Sequence, residues 1–266
     1  MKQRTIARSF SFSGIGLHSG GKTEIYLAPA PPNSGIVFLK EGIKIPALLA
    51  SVRETKRGTS LNGISVVEHF LASLYALGID NLEVEARGDE LPALDGSALP
   101  YTEALYANGW IEQNEIKRPF SLPSPIKIID GESSIEALPS RRLKIDFMVD
   151  FPAIGRQRLA FDLEKDNFRK DIAPARTFGY IEEYGWLKEQ GLAKGASLEN
   201  ALVLGKDGYI NAPRFPDEVV RHKILDMLGD LSLFGRPILA DISAIKSSHR
   251  LNIEFVGALH KMALEQ

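Results

Sequence analysis

An α+β fold is what this sequence predicts, and three observations carry the prediction. Strand-like and helix-like stretches occur in groups, without the strict βα alternation of a doubly wound sheet. The same kinds of element recur in the two halves, although no residue-level repeat accompanies them. Between the halves lies "IEQNEIKRPFSLPSPI", polar and proline-bearing, which puts a boundary near Arg118. A chain of 266 residues suits one large domain or two of ordinary size.

The first half opens on the polar–apolar alternation of "RSFSFSGIG". It runs into "GLHSGGKT" (16–23), a letter-for-letter match to the phosphate-cradling pattern G-x-x-x-x-G-K-[ST]. A working phosphate loop leaves a buried strand and opens a helix. Here Ile25 and Leu27 alternate with Glu24 and Tyr26, and prolines follow, which reads as a strand. The stretch is therefore expected to be a hairpin turn with His18 at its tip, its glycines allowing the tight reversal. "GIVFLK" and "IKIPALL" read as strands. "SVVEHFLASLYALGI" reads as a helix, with Ser65 as N-cap, Glu68 as the return half of a capping box and Gly78 as the stop. "DNLEVEARG" is a strand and "LPYTEALYANGW" a second helix.

In the second half "IKIID", "SSIEALP", "RLKIDFMVDF" and "QRLAFDL" are strands. A helix is expected around "TFGYIEEYGWLKEQG" with Thr177 as its N-cap, then a loop through "LAKGAS" and a strand and turn in "ENALVLGKDG". "DEVVRHKILDMLGDLSLFG" is the longest helix, and "ILADISAIKSSHRLNIEFVGALHKMAL" closes as strand, loop and helix.

Composition narrows the function. With 44% apolar and 25% charged residues the chain can bury a sizeable core, and a formal net charge of −2 argues against general nucleic-acid binding. No apolar run approaches the roughly 20 residues of a membrane span. The basic N-terminus has no apolar segment behind it, so no secretory signal is expected and the cytoplasm is the default location. The absence of cysteine confines any zinc site to His, Asp and Glu.

Five histidines are the candidates for chemistry. His69 shares its helix face with the small residues Ser65, Ala72, Ser73 and Ala76, so it is either a satisfied core group or a ligand with room beside it. His222, Asp226 and Asp230 recur every four residues and form one stripe. An i, i+4 His–Asp pair can chelate one metal ion from a single face. The apolar arc of Val220, Ile224, Met227, Leu228 and Leu231 lies nearly opposite, so the stripe can equally be a solvated face; Val219, Gly229 and Leu233 on the stripe side favour partial cover. His249 falls in a serine-rich loop, and His260, beside Lys261, is expected at the surface.

Taken in order, "FSGIGLHSG", "SVVEH", "LDGSALPY", "ARTFGY", "GLAKGASLENALVLG", "VRHKILDMLGDL" and "SSHRLN" make the whole chain resemble the UDP-3-O-acyl-N-acetylglucosamine deacetylases of Gram-negative lipid A synthesis. The resemblance implies two α+β domains, 1–117 and 118–266, each with a sheet and a pair of helices, the helix layers packed between the sheets. It implies Zn²⁺ held by His69, His222 and Asp226, with Glu68 as general base toward water on that zinc. Thr177 would help stabilise the oxyanion, and His249, charged beside Asp230, would stabilise charge or protonate the departing amine. Whether Glu68 alone or a Glu68/His249 pair moves the protons stays open. Lys223 would meet the polar groups of the substrate, Phe178 would wall the sugar site, and His18 would border it without ligating metal. An inserted segment at 185–205 would pass the acyl chain. Ser248 and Ala196 stand where the family has glycine, and the sequence closes soon after its last helix, where the family carries a longer tail. The expected partner is an acylated UDP-sugar, with no stable membrane insertion and no obligate protein partner. The competing readings are an ATP-dependent kinase using "GLHSGGKT" and a non-catalytic sugar-nucleotide or lipid-binding module.

Overall fold

A computed structural model describes residues 1–265. In the first half β1 (Lys2–Ile6), β2 (Phe10–Ile15), β3 (Lys22–Pro29), β4 (Ile36–Lys40), β5 (Ile43–Pro46), β6 (Val52–Glu54) and β7 (Ser60–Leu61) precede helix α1 (Glu68–Leu77). Strand β8 (Leu82–Arg87), helix α2 (Leu99–Asn108) and strand β9 (Trp110–Ile116) follow. The second half runs β10 (Phe120–Ser121), β11 (Ile126–Asp130), β12 (Ser133–Pro139), β13 (Lys144–Phe151), β14 (Gly155–Asp162) and α3 (Phe168–Asp171). Then come β15 (Phe178–Tyr180), α4 (Tyr184–Glu189), β16 (Leu202–Gly205), β17 (Gly208–Tyr209), α5 (Glu218–Ser232), β18 (Ile238–Ile245) and α6 (His249–Leu264).

The two large sheets share one topology. The first has the order β2-β3-β8-β4-β5 and the second β11-β12-β18-β13-β14, with β10 added along β18. In each, the strand of that sheet that comes last in sequence is inserted centrally, antiparallel to one neighbour (β3 or β12) and parallel to the other (β4 or β13). In each, a helix precedes that central strand and another follows it: α1 and α2 around β8, α5 and α6 around β18. The recurrence of element order in the sequence is thus a recurrence of fold, carried by pairing and not by residue identity.

Strand alternation sends one face of each sheet inward. In the first half Ile25, Leu27, Phe38 and Val84 from the sheet share a core with Phe70, Leu71 and Leu74 of α1 and Tyr101 and Leu105 of α2. In the second, Ile145, Phe147, Ile242 and Ala244 share one with Ile224, Met227 and Leu228 of α5 and Phe255 and Leu259 of α6. Ala72 of α1 belongs to the second core and Leu233, just past α5, to the first, so the helix layers meet between the sheets.

Several local expectations fail. Ser65 is not an N-cap: Val66 has φ +57°, α1 starts only at Glu68, and no side chain caps it. Thr177 caps no helix either. The stretch after it divides into β15, a 3₁₀ turn at Ile181–Glu183 and the short α4, because Thr177 and Phe178 join a small sheet with β16. His249 is not in a loop but opens α6, capped by the Ser248 hydroxyl, which accepts from the Leu251 N–H. His260 is half-buried against Phe234, ring centroids 4.6 Å apart. The stretch after Trp110 is no open linker, since β9 pairs with β1.

Candidate active site

Helices α1 and α5 approach closely because Gly229 has no side chain: a Cβ there would lie 2.2 Å from the Glu68 carbonyl oxygen. This contact resolves the ambiguity of the His222–Asp226–Asp230 stripe. The apolar arc of α5 faces its own sheet, the stripe faces α1, and all three stripe residues are buried. The small face of α1 makes room for them.

Asp226 Oδ1 lies 3.3 Å from His222 Nε2 and 3.7 Å from His69 Nε2. The two imidazoles stand edge-on, centroids 5.0 Å apart. The ligand atoms of these three residues lie within 4.8 Å of one another. Asp226 Oδ1 is buried and has no hydrogen-bond partner among the described residues. An unpaired buried carboxylate oxygen is costly unless a ligand completes it, so the donor set fits a divalent metal ion. The His222 Nδ1–H donates to the Ala175 carbonyl at 3.1 Å, which turns Nε2 toward Asp226.

On the other side of Asp226 stands a second set. His249 Nε2 is 3.6 Å from Asp226 Oδ2 and 4.0 Å from Glu68 Oε1. Its Nδ1–H donates to Asp230 Oδ2 at 2.9 Å. Asp230 also accepts from Thr59 Oγ1 at 2.6 Å and Asn252 Nδ2 at 2.8 Å. Glu68 Oε2 accepts the Thr59 backbone N–H at 3.0 Å.

Burial and charge set the protonation of these groups. Loss of water around the Glu68 carboxylate pushes it up to about 7, against the pull of His249. Burial and the neighbouring His222 take His69 down to about 3, so it is a neutral donor at physiological pH. Burial lowers His222 as well. Burial alone would raise Asp226, but His222, Lys223, His249 and His69 outweigh it and hold the carboxyl well below its usual range. Burial also opposes charge on His249, yet Asp230 and Asp226 prevail and bring it up to about 9. A carboxylate raised and an imidazole raised beyond it stand side by side, the pattern of an acid–base pair.

The remaining candidates lie around this centre. Lys223 Nζ donates to Asp226 Oδ2 at 2.8 Å. The Phe178 ring is edge-on to His222, centroids 5.8 Å apart, and rests on Phe151. Thr177 sits between Phe178 and the Ala175 carbonyl that orients His222, with its N–H on Gly96 O at 2.7 Å. His18 is at the tip of the β2–β3 hairpin, as expected. The Ala193 N–H donates to its Nδ1 at 3.4 Å, which leaves Nε2–H to donate to Arg57 O at 3.0 Å. Its neighbour Leu17 lines a small cavity together with His69. The hairpin also answers the kinase reading: Lys22 and Thr23 lie inside β3, and no helix follows them.

Sequence reasoning missed Thr59, Asn252, Ala175 and Glu218. Asn252 had a signal, three residues after His249 on what proves to be one helix face. The buried Glu218 carboxylate holds Arg176 at 3.0 Å and so anchors the 175–178 segment. Thr59 lies in an irregular loop and had none.

Two imidazoles and a carboxylate suited to a metal ion, with an acid–base pair beside them on an α+β frame, define a metal-assisted hydrolase. The family model for UDP-3-O-acyl N-acetylglycosamine deacetylases (LpxC) matches residues 3–261. UDP-3-O-acyl-N-acetylglucosamine deacetylases of Syntrophotalea carbinolica and Myxococcus xanthus are each 41% identical over 96% of this chain, covering 86% and 85% of the relative. That of Thermosynechococcus vestitus is 42% identical over 97% of this chain and 93% of its own length. The chain belongs to this deacetylase family.

Proposed function

We propose that this protein is a zinc-dependent deacetylase that hydrolyses the N-acetyl group of UDP-3-O-(3-hydroxyacyl)-N-acetylglucosamine and releases acetate, the committed step of lipid A synthesis. The observation that carries the reading is the buried, unpartnered Asp226 Oδ1 between two neutral imidazoles. His69, His222 and Asp226 would hold the zinc, which when bound supplies Lewis acidity toward the acetamide carbonyl and the attacking water. Glu68 takes the proton of that water on Oε1, since its Oε2 is occupied by the Thr59 N–H. As the C–N bond breaks, His249 gives its Nε2 proton to the departing amine, while Asp230 holds Nδ1 and the ring orientation. The Thr177 hydroxyl and the Lys223 ammonium are assigned to the oxyanion and the polar groups of the substrate. Phe178 walls the sugar and His18 borders it.

Residues 1–117 then form a domain contributing Glu68 and His69, and 118–266 one contributing His222, Asp226 and His249. The 185–205 segment carries Trp186 and Leu198 half-exposed, in keeping with a passage for the acyl chain. Among the described residues no helix is long and apolar enough to cross a membrane; a cytoplasmic enzyme meeting an amphiphilic substrate is the reading we adopt.

The test is metal analysis joined to acetate release from the acylated UDP-sugar. Asp226→Ala is expected to lose zinc and activity together. Glu68→Gln should keep zinc and lose on the order of a hundredfold in kcat, the scale of a missing general base. Full activity in chelated, metal-free protein would overturn the reading.

A further inference from the structure

The Glu68 carboxylate and the His249–Asp230 pair come from different halves of the chain, and one buried residue touches both. Thr59, fully buried at 0% exposure, precedes β7 in the first half. Its backbone N–H donates to Glu68 Oε2 at 3.0 Å, and its carbonyl accepts the Val67 N–H at 3.2 Å. Its hydroxyl donates to Asp230 Oδ1 at 2.6 Å, across 171 positions of sequence. The same oxygen lies 3.3 Å from His249 Nδ1, whose own proton goes to Asp230 Oδ2. Before it, Gly58 takes φ +146°, and a Cβ there would stand 3.0 Å from Glu68 Oε1, so backbone is packed directly against the carboxylate.

We infer that Thr59 is a positioning residue for the hydrolysis: its amide and hydroxyl together fix the general base and the His249–Asp230 pair relative to each other. This rests on the deacetylase reading of the site. With Oε2 held by the amide, Glu68 presents Oε1, the oxygen that looks toward His249 Nε2. With Oδ1 held by the hydroxyl, the Asp230 carboxylate cannot rotate, and the imidazole it carries keeps its direction. Thr suits the task because its branched Cβ restricts χ1, so the hydroxyl is aimed before substrate arrives. Asn252 also grips Asp230, but from α6, the helix that bears His249 itself; it braces the pair without tying it to Glu68.

A residue that only stabilised the fold would change the unfolding midpoint and leave kcat alone. Thr59→Val keeps the shape and the amide and removes the hydroxyl. It is expected to lower kcat roughly tenfold to hundredfold, the range of one hydrogen bond to a charged group, with KM within about twofold and zinc content unchanged. Thr59→Ser, which restores the hydroxyl, should recover at least about a third of wild-type kcat, the shortfall reflecting its looser χ1. Proton NMR of the ring N–H groups in metal-free protein gives a readout apart from turnover: the His249 Nδ1 proton, held on Asp230, should give one sharp downfield resonance in wild type and Thr59→Ser and a broadened, exchanging one in Thr59→Val. Unimpaired kcat in Thr59→Val overturns the inference. Should that variant not fold, a Thr59→Ser enzyme that folds yet is as slow as Thr59→Ala overturns it equally, because the hydroxyl would not be what matters. A wild-type protein without deacetylase activity, or a fully active Glu68→Gln, sinks the reading of the site itself and is told apart by that control.

Discussion

Gly229 of α5 and Glu68 of α1 touch backbone to backbone: a Cβ at 229 would fall 2.2 Å from the Glu68 carbonyl oxygen and 2.8 Å from its Cα. The residue before His69, a proposed metal ligand, is thus pressed onto the helix that carries His222 and Asp226. Alanine favours a helix interior over glycine by about 1 kcal/mol. Here the methyl has nowhere to go, and overpacking of this kind costs about 1–3 kcal/mol or more. Gly229→Ala should therefore lower the urea midpoint in spite of its better propensity. Activity should fall further than stability, because α1 must move and take Glu68 and His69 with it. Unchanged stability and turnover would show that the helices do not meet in this way.

Activity should follow a bell in pH. In the proposed mechanism Glu68 acts as base only when deprotonated, and burial puts that ionisation at about 7, so the rate should fall as pH drops through this value. His249, the proposed proton donor, can act only when charged, and Asp230 and Asp226 hold that charge up to about 9, so the rate should fall again above it. A cation held by His69, His222 and Asp226 favours the deprotonated form of both neighbours and draws both limbs downward. The check is kcat/KM of the zinc-loaded enzyme from pH 5 to 10; a profile flat across that window would remove the pair from the chemistry.

Much of this was legible in the sequence, and the losses have physical causes. Period-2 alternation marked β3, β8, β13 and β18, since each buries one face. The 3.6-residue period marked α1 and α5, and Gly78 ends α1 in the left-handed conformation that a glycine stop implies. What periodicity cannot show is what covers a polar stripe: His222, Asp226 and Asp230 could be solvated or buried until α1 was seen to lie across them. The capping-box reading of Ser65 and Glu68 failed because Glu68 turns its carboxylate to the Thr59 amide, a partner outside the helix. The Ser248 cap of α6 was readable, a serine just ahead of an apolar periodic run. Thr59 and Glu218 act over 171 and 42 positions of sequence separation, and no local pattern encodes such contacts.

Glu218 supplies the last prediction. Its side chain is fully buried, and Oε1 accepts the Arg176 N–H at 2.9 Å and Nε–H at 3.0 Å. Oε2 accepts from Arg176 at 3.3 Å and from the Arg214 N–H at 2.5 Å. The start of α5 is thereby fastened to the segment whose Ala175 carbonyl takes the His222 Nδ1 proton. Glu218→Ala leaves the Arg176 guanidinium buried without a counter-charge, and breaking such a pair from one side costs about 3–5 kcal/mol. Glu218→Gln keeps the shape and some of the hydrogen bonds, so the stability loss should be smaller. Both variants slacken the Ala175 carbonyl behind His222, a proposed metal ligand, and losing a support of this kind lowers metal affinity about 10- to 100-fold. Urea unfolding reads the first effect and zinc titration of the folded variants the second. If Glu218→Gln folds with reduced stability but binds zinc as tightly as wild type, the buried pair supports the fold alone and does not reach His222.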